Sequence, residues 1–161
     1  MTDKKDSGPG VRFPPPFLFV GGILVAWLLE SRVHKLPVIP ESVPPIAYRL
    51  IGYLLLLAGV SMAAWGMITF ARAHTAIIPN RPASSIVDTG PYRFTRNPMY
   101  TGMTLVYLGI AVHLNSGWAF LLLPGVLFLL QRFVIRREER YLSEAFGETY
   151  DAYRARVKRW V

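Results

Sequence analysis

The chain has 161 residues, 52% hydrophobic and 17% charged, enough for one compact domain. It has no cysteine, which excludes disulfides, thiolate metal sites and a cysteine nucleophile; His34, His74 and His113 are too far apart to suggest a zinc site, so no metal is expected. The net charge of +8 flanks apolar runs, where anionic lipid headgroups explain it more simply than nucleic acid does.

Residues 1–16 are polar and rich in Gly and Pro, and read as a disordered tail. Pro14, Pro15 and Pro16 then open a first helix, expected from Phe17 to about Val33. No small-residue cleavage site follows its apolar run, so it reads as a retained helix. A loop with Pro37, Pro40, Pro44 and Pro45 leads to a second helix, about Ile46 to Ala73. Residues 17–73 thus read as an N-terminal two-helix membrane hairpin. His74 to Asn97, punctuated by Pro79, Pro82, Gly90 and Pro91, reads as a long functional loop.

Asn97-Pro98 is a helix-start signal, Asn97 capping and Pro98 at the first helical position. The third helix is expected from Pro98 to about His113, and Asn115-Ser116-Gly117 makes a tight turn. The fourth helix starts near Trp118, passes Pro124, which should kink it, and runs on to Phe146. Gly147 ends it, and a last short helix covers about Glu148 to Trp160.

Phe17–Leu29, Ile51–Phe70 and Trp118–Leu130 carry no charge, and about 20 apolar residues span a bilayer. The expected fold is therefore an all-α integral membrane protein: four transmembrane helices plus a cytoplasmic C-terminal helical extension. With both termini inside, fifteen of the eighteen basic residues fall on the cytoplasmic face, as the positive-inside rule favours. A bacterial-type inner membrane is the expected location.

This topology brings two segments to one face. The first is Gly90-Pro-Tyr-Arg-Phe-Thr-Arg-Asn-Pro-Met-Tyr-Thr-Gly102. The second is Arg136-Arg-Glu-Glu-Arg-Tyr-Leu142, continuing through Phe146-Gly-Glu-Thr-Tyr150 and Tyr153. A hairpin of the third and fourth helices sets Arg96 and Tyr100 near Glu138 and Glu139. Adjacent helical positions differ by about 100°, so only one glutamate is expected to face a ligand directly.

The pattern G-x-Y-x-x-x-R-N-P-x-Y-x-G, then E-E-x-x-L, then F-G-x-x-Y-x-x-Y, resembles the isoprenylcysteine carboxyl methyltransferase and phospholipid methyltransferase superfamily. The resemblance covers about His74 to Trp160 and departs from the prenylcysteine enzymes at Asn97, where they usually carry histidine. It implies that residues 74–161 form a methyltransferase core with an S-adenosylmethionine pocket and no Rossmann domain. It also implies a lipophilic small-molecule or lipid substrate that arrives from the membrane lipids.

The chemistry agrees with that implication. A helix start with free N–H groups, here Asn97 and Pro98 beside Arg93, suits the cofactor's carboxylate. A carboxylate, Glu138 or Glu139, suits its ammonium or ribose hydroxyls, and Tyr92 and Tyr100 its adenine or sulfonium. Gly90 and Gly102 allow close backbone approach. Arg96 and Glu138 are the candidates to orient or deprotonate the acceptor. Plainer readings stand beside these: Arg93 and Arg96 as topology anchors, and Glu138 and Glu139 as a solvated charged face. Tyr150, Tyr153 and Val157 read as a docking stripe, Tyr107 as packing, and Gly102 and Gly109 as close helix contacts. Two other functions share this scaffold, a phospholipid amine N-methyltransferase and a non-enzymatic accessory protein.

Overall fold

A computed structural model of the chain describes residues 8–11, 14–73 and 83–160. His74, Pro79, Arg81 and Pro82, and most of the expected tail, lie outside the described residues.

Six α-helices account for most of the described chain: α1 (Pro16–Arg32), α2 (Pro45–Arg72), α3 (Pro98–Leu114), α4 (Gly117–Leu130), α5 (Arg136–Phe146) and α6 (Glu148–Arg156). A 3-10 turn over Gly90–Arg93 precedes α3, and no strand occurs among the described residues. Prolines open α1, α2 and α3, where a missing N–H costs nothing. Three boundaries depart from expectation. α4 and α5 form one rod interrupted by a π turn at Gln131–Ile135, which no local pattern announces. α6 stops at Arg156, and Val157 turns extended. Residues 8–11 are not a loose tail: Val11 is buried, and Arg137 Nη1 donates to the Gly10 carbonyl at 3.0 Å.

α2 and the rod Gly117–Phe146 are long and apolar enough to cross a bilayer. α1 and α3, at 17 residues each, are shorter. Only 11% of the apolar window of α2 is buried by protein, whereas the core helix of a soluble fold is mostly buried. Phe17, Leu24, Trp27, Leu50, Leu54 and Leu57 all face outward, a belt that lipid accommodates and water does not. The rod's 30 residues reach about 45 Å, more than the hydrocarbon needs. The excess is α5, whose six charged side chains place it outside the apolar layer.

Helix pairing is set by small residues. α2 packs on α3, and α1 on α4; α1 and α2 barely touch, so the N-terminal pair is not a packed hairpin. Gly52 and Gly59 on α2 face Gly109 and Gly102 on α3. A Cβ at Gly59 would stand 2.6 Å from the Gly102 carbonyl oxygen, and one at Gly102 would stand 2.6 Å from that of Gly59. The two backbones therefore touch. Tyr107 is buried and its hydroxyl donates to the Ala119 carbonyl at 2.9 Å, tying α3 to α4.

The end opposite α5 is stitched by its loops. Asn115, in the left-handed region at φ 51°, accepts from the Val38 and Ile39 amides at 2.9 and 2.8 Å and donates to the Ile39 carbonyl at 3.0 Å. The Gly117 amide donates to the Leu36 carbonyl at 2.7 Å, and Trp118 Nε1 to that of His34 at 2.9 Å. His113 lies at this end against Tyr53, away from the charged segments.

Candidate active site

The short Asn115–Ser116 turn reverses the chain, so the end of the rod returns to the start of α3. The two ends meet: the Tyr100 hydroxyl donates to Glu138 Oε1 at 2.7 Å. On the neighbouring side of α5, Glu139 is held by two arginines. Arg96 Nη1 stands 3.1 Å from its Oε1, and Arg159 grips both oxygens, at 2.9 Å from Nε and 2.6 Å from Nη2. Charge-assisted, bidentate pairing of this kind fixes geometry as well as energy.

The C-terminal segment after α6 builds the floor. The Arg96 amide donates to the Lys158 carbonyl at 2.9 Å. Thr95 Oγ1 and Asn97 Nδ2 both donate to the Arg159 carbonyl at 3.0 Å. Asn97 therefore occupies the capping position without capping by its side chain, which is spent on the tail. Thr95 also accepts from the Asn97 amide at 3.2 Å. From α6, the Tyr153 hydroxyl donates to the Tyr92 carbonyl at 2.9 Å, and Arg96 Nη1 donates to the Tyr150 hydroxyl at 3.4 Å. These tyrosines dock α6 against the segment that opens α3, and they also stand in the wall of the site. The sequence signal for that was their hydroxyls, each a polar handle on a buried ring.

A cavity opens among these groups. Seven of the ten residues singled out from sequence line it: Tyr92, Arg96, Asn97, Pro98, Tyr100, Glu138 and Glu139. Both glutamates do so, Glu138 bonded to Tyr100 and Glu139 to Arg96 and Arg159. Three are elsewhere. Arg93 is exposed and off the wall. Gly102 faces α2, and Gly90, at φ +57°, turns the chain against Thr69 and Trp65. Sequence reasoning missed Arg159, Phe70 and the stretch Ser85–Val87. A lone arginine in a basic tail carries no local mark of its partner 20 positions back.

Two buried polar atoms in the wall lack a partner among the described residues, the Tyr92 hydroxyl and Arg96 Nε. Tyr92 is otherwise fixed, its ring 4.8 Å from that of Phe70. Burial raises the Glu138 carboxyl from its ordinary 4.5 to about 7; the Tyr100 hydrogen bond lowers it, and the Glu139 charge adds to the rise. The Glu139 hydrogen bonds hold the Arg159 guanidinium above its ordinary value. Among the described residues no cluster of histidine and carboxylate side chains suits a metal.

Fold and site define a class: a small all-helical membrane protein with a carboxylate–guanidinium cavity at one end of its bundle. The chain belongs to the phospholipid methyltransferase family, whose model matches residues 48–149, more than half its length. It is 27% identical to a phosphatidyl-N-methylethanolamine N-methyltransferase of Emericella nidulans, over 88% of this chain and 68% of that one. It is 31% identical to a protein-S-isoprenylcysteine O-methyltransferase of Schizosaccharomyces pombe, over 66% and 45%. It is 33% identical to a cobalt-zinc-cadmium resistance protein of Cupriavidus metallidurans, over 56% and 40%. The chain thus spans less than half the length of the last two. No solved structure matches it.

Proposed function

We propose that this chain is an S-adenosylmethionine-dependent methyltransferase that acts on a lipophilic acceptor arriving from the bilayer. The observation that carries the reading is the cavity wall: two carboxylates, and a buried guanidinium N–H and a buried phenol that are unpaired among the described residues. Leaving such groups unpaired costs about 1–3 kcal/mol each, so a polar ligand is the natural partner. The donor set suits this cofactor. Glu138 is the partner for an ammonium or a ribose diol, Arg96 Nε for a carboxylate, and Tyr92 for a ring or hydroxyl edge. When bound, the cofactor supplies an electrophilic methyl group on a sulfonium. The chain's own residues position it, exclude water and, at Glu138, accept a proton. In this reading α1 and α3 complete four spans, and both termini lie on the cytoplasmic side with the cavity. The water-soluble donor and the lipid-soluble acceptor then meet at the phase boundary.

The acceptor class has a second reading, a phospholipid amine. It is favoured by the Emericella relative, which aligns over 88% of this chain. An amine arrives as an ammonium and must lose a proton before it attacks, a task for Glu138.

Calorimetry with S-adenosylhomocysteine on detergent-purified protein tests the reading. Glu138→Gln and Arg96→Ala are each expected to abolish saturable binding while the protein still inserts in membranes. Unchanged affinity in both variants removes the site assignment. A wild-type protein that binds nothing fits an accessory role instead. Labelled cofactor with a total lipid extract then identifies the acceptor by its product.

A further inference from the structure

The face of α5 turned away from Glu138 and Glu139 carries a second concavity. Arg132, Arg136, Arg137 and Arg140 line it, with Glu144 the one carboxylate on its wall among the described residues. Arg132, Arg136 and Arg140 recur at four-residue spacing across the π turn and α5, so they form one stripe. The opposite wall is the Gly8–Gly10 segment, held by the Arg137 bond to the Gly10 carbonyl. Arg136 and Arg140 are exposed, and neither has a salt bridge to a carboxylate among the described residues. Four guanidinium groups brought together repel one another, and a phosphodiester relieves that repulsion while matching the guanidinium fork.

The stripe does not end at Arg132. Phe128 lies four residues earlier and Phe133 beside it, and both are exposed at 67% and 48% on the membrane-crossing part of the rod. An apolar track thus runs directly into a basic groove. That sequence of surfaces matches one molecule, with acyl chain below and phosphate above.

We propose that this groove binds the phosphate of a membrane phospholipid, anionic lipids preferentially, with an acyl chain along Phe128 and Phe133. It is a site separate from the methyl-transfer cavity and does not rest on that reading. Pro9 and Tyr141 line both concavities, so an occupied groove would brace the cavity's outer wall.

Native mass spectrometry of the full chain in detergent, titrated with phosphatidylglycerol, phosphatidylcholine or inorganic phosphate, tests it. Phosphatidylglycerol should bind most tightly, and the double variant Arg136→Gln/Arg140→Gln should weaken it about tenfold or more. The double variant Arg154→Gln/Arg156→Gln loses the same charge elsewhere on this end and should leave binding unchanged. Equal loss in both would reduce the effect to diffuse charge and overturn the site. Competition by inorganic phosphate at the same concentration would assign the groove to a soluble anion and overturn the lipid. Far-UV circular dichroism and a monodisperse elution peak show that each variant is folded; Arg136→Lys/Arg140→Lys, which keeps charge and loses the fork, should fall between the extremes.

Discussion

Glu138 and Glu139 are neighbours in sequence and opposites in circumstance. Glu139 is neutralised by two arginines, whereas Glu138 has one phenolic hydrogen bond and a buried setting that raises it to about 7. Its proton is held by the folded chain and released by the unfolded one between pH 4.5 and about 7. This group's contribution to stability therefore falls as pH rises through that window and is level above it. Ligand binding runs the other way. The ligand's ammonium needs the ionised form of Glu138, so S-adenosylhomocysteine affinity should rise with pH, by up to about tenfold per unit, until it flattens near 7. Calorimetry at a series of pH values reads this directly, and any binding left in Glu138→Gln should have lost that inflection. A wild-type profile without inflection would detach Glu138 from the ligand. The motif spacing made both glutamates visible in the sequence. Their division of labour was not, because it is decided by Arg159, which reaches them through the fold.

At the scale of the helices, most boundaries were legible: each of the first three begins and ends within a residue or two of expectation, with proline marking each start. Pairing was partly legible. Gly102 and Gly109 announce a close neighbour, but only the structure names α2, through Gly59 and Gly52 at the same seven-residue spacing. A seven-residue period is the coiled-coil repeat, which keeps one seam in contact along both helices. Gly59→Ala drives a methyl into a backbone carbonyl, and should lower thermal stability by about 1–3 kcal/mol. Gly125→Ala meets nothing within 4 Å and should be neutral or slightly stabilising. Parallel melting curves in one detergent compare them; equal effects would mean that the α2–α3 contact is looser than described. The π turn was illegible because it costs no proline or glycine.

For the whole molecule, the site is assembled from both ends of its core. The last residues run under the start of α3, and their contacts to Thr95, Arg96, Asn97 and Glu139 span 20 to 64 positions. Ending the chain at Val157 removes all of them while touching no helix. Helical content by circular dichroism should hold, and S-adenosylhomocysteine affinity should fall about tenfold or more. Full affinity in the shortened chain would show that the floor is dispensable. Nothing local could reveal this arrangement, because extended segments without periodicity announce neither their partner nor their burial.

The loop stitching around Asn115 has a mechanical corollary. Side-chain and backbone bonds from Leu36, Val38 and Ile39 bind the far ends of the helices like the spine of a book. The other edge is held by polar clasps among Arg96, Glu139 and Arg159. If the proposed function holds, a bulky guest would enter by unfastening those clasps while the spine stays sewn.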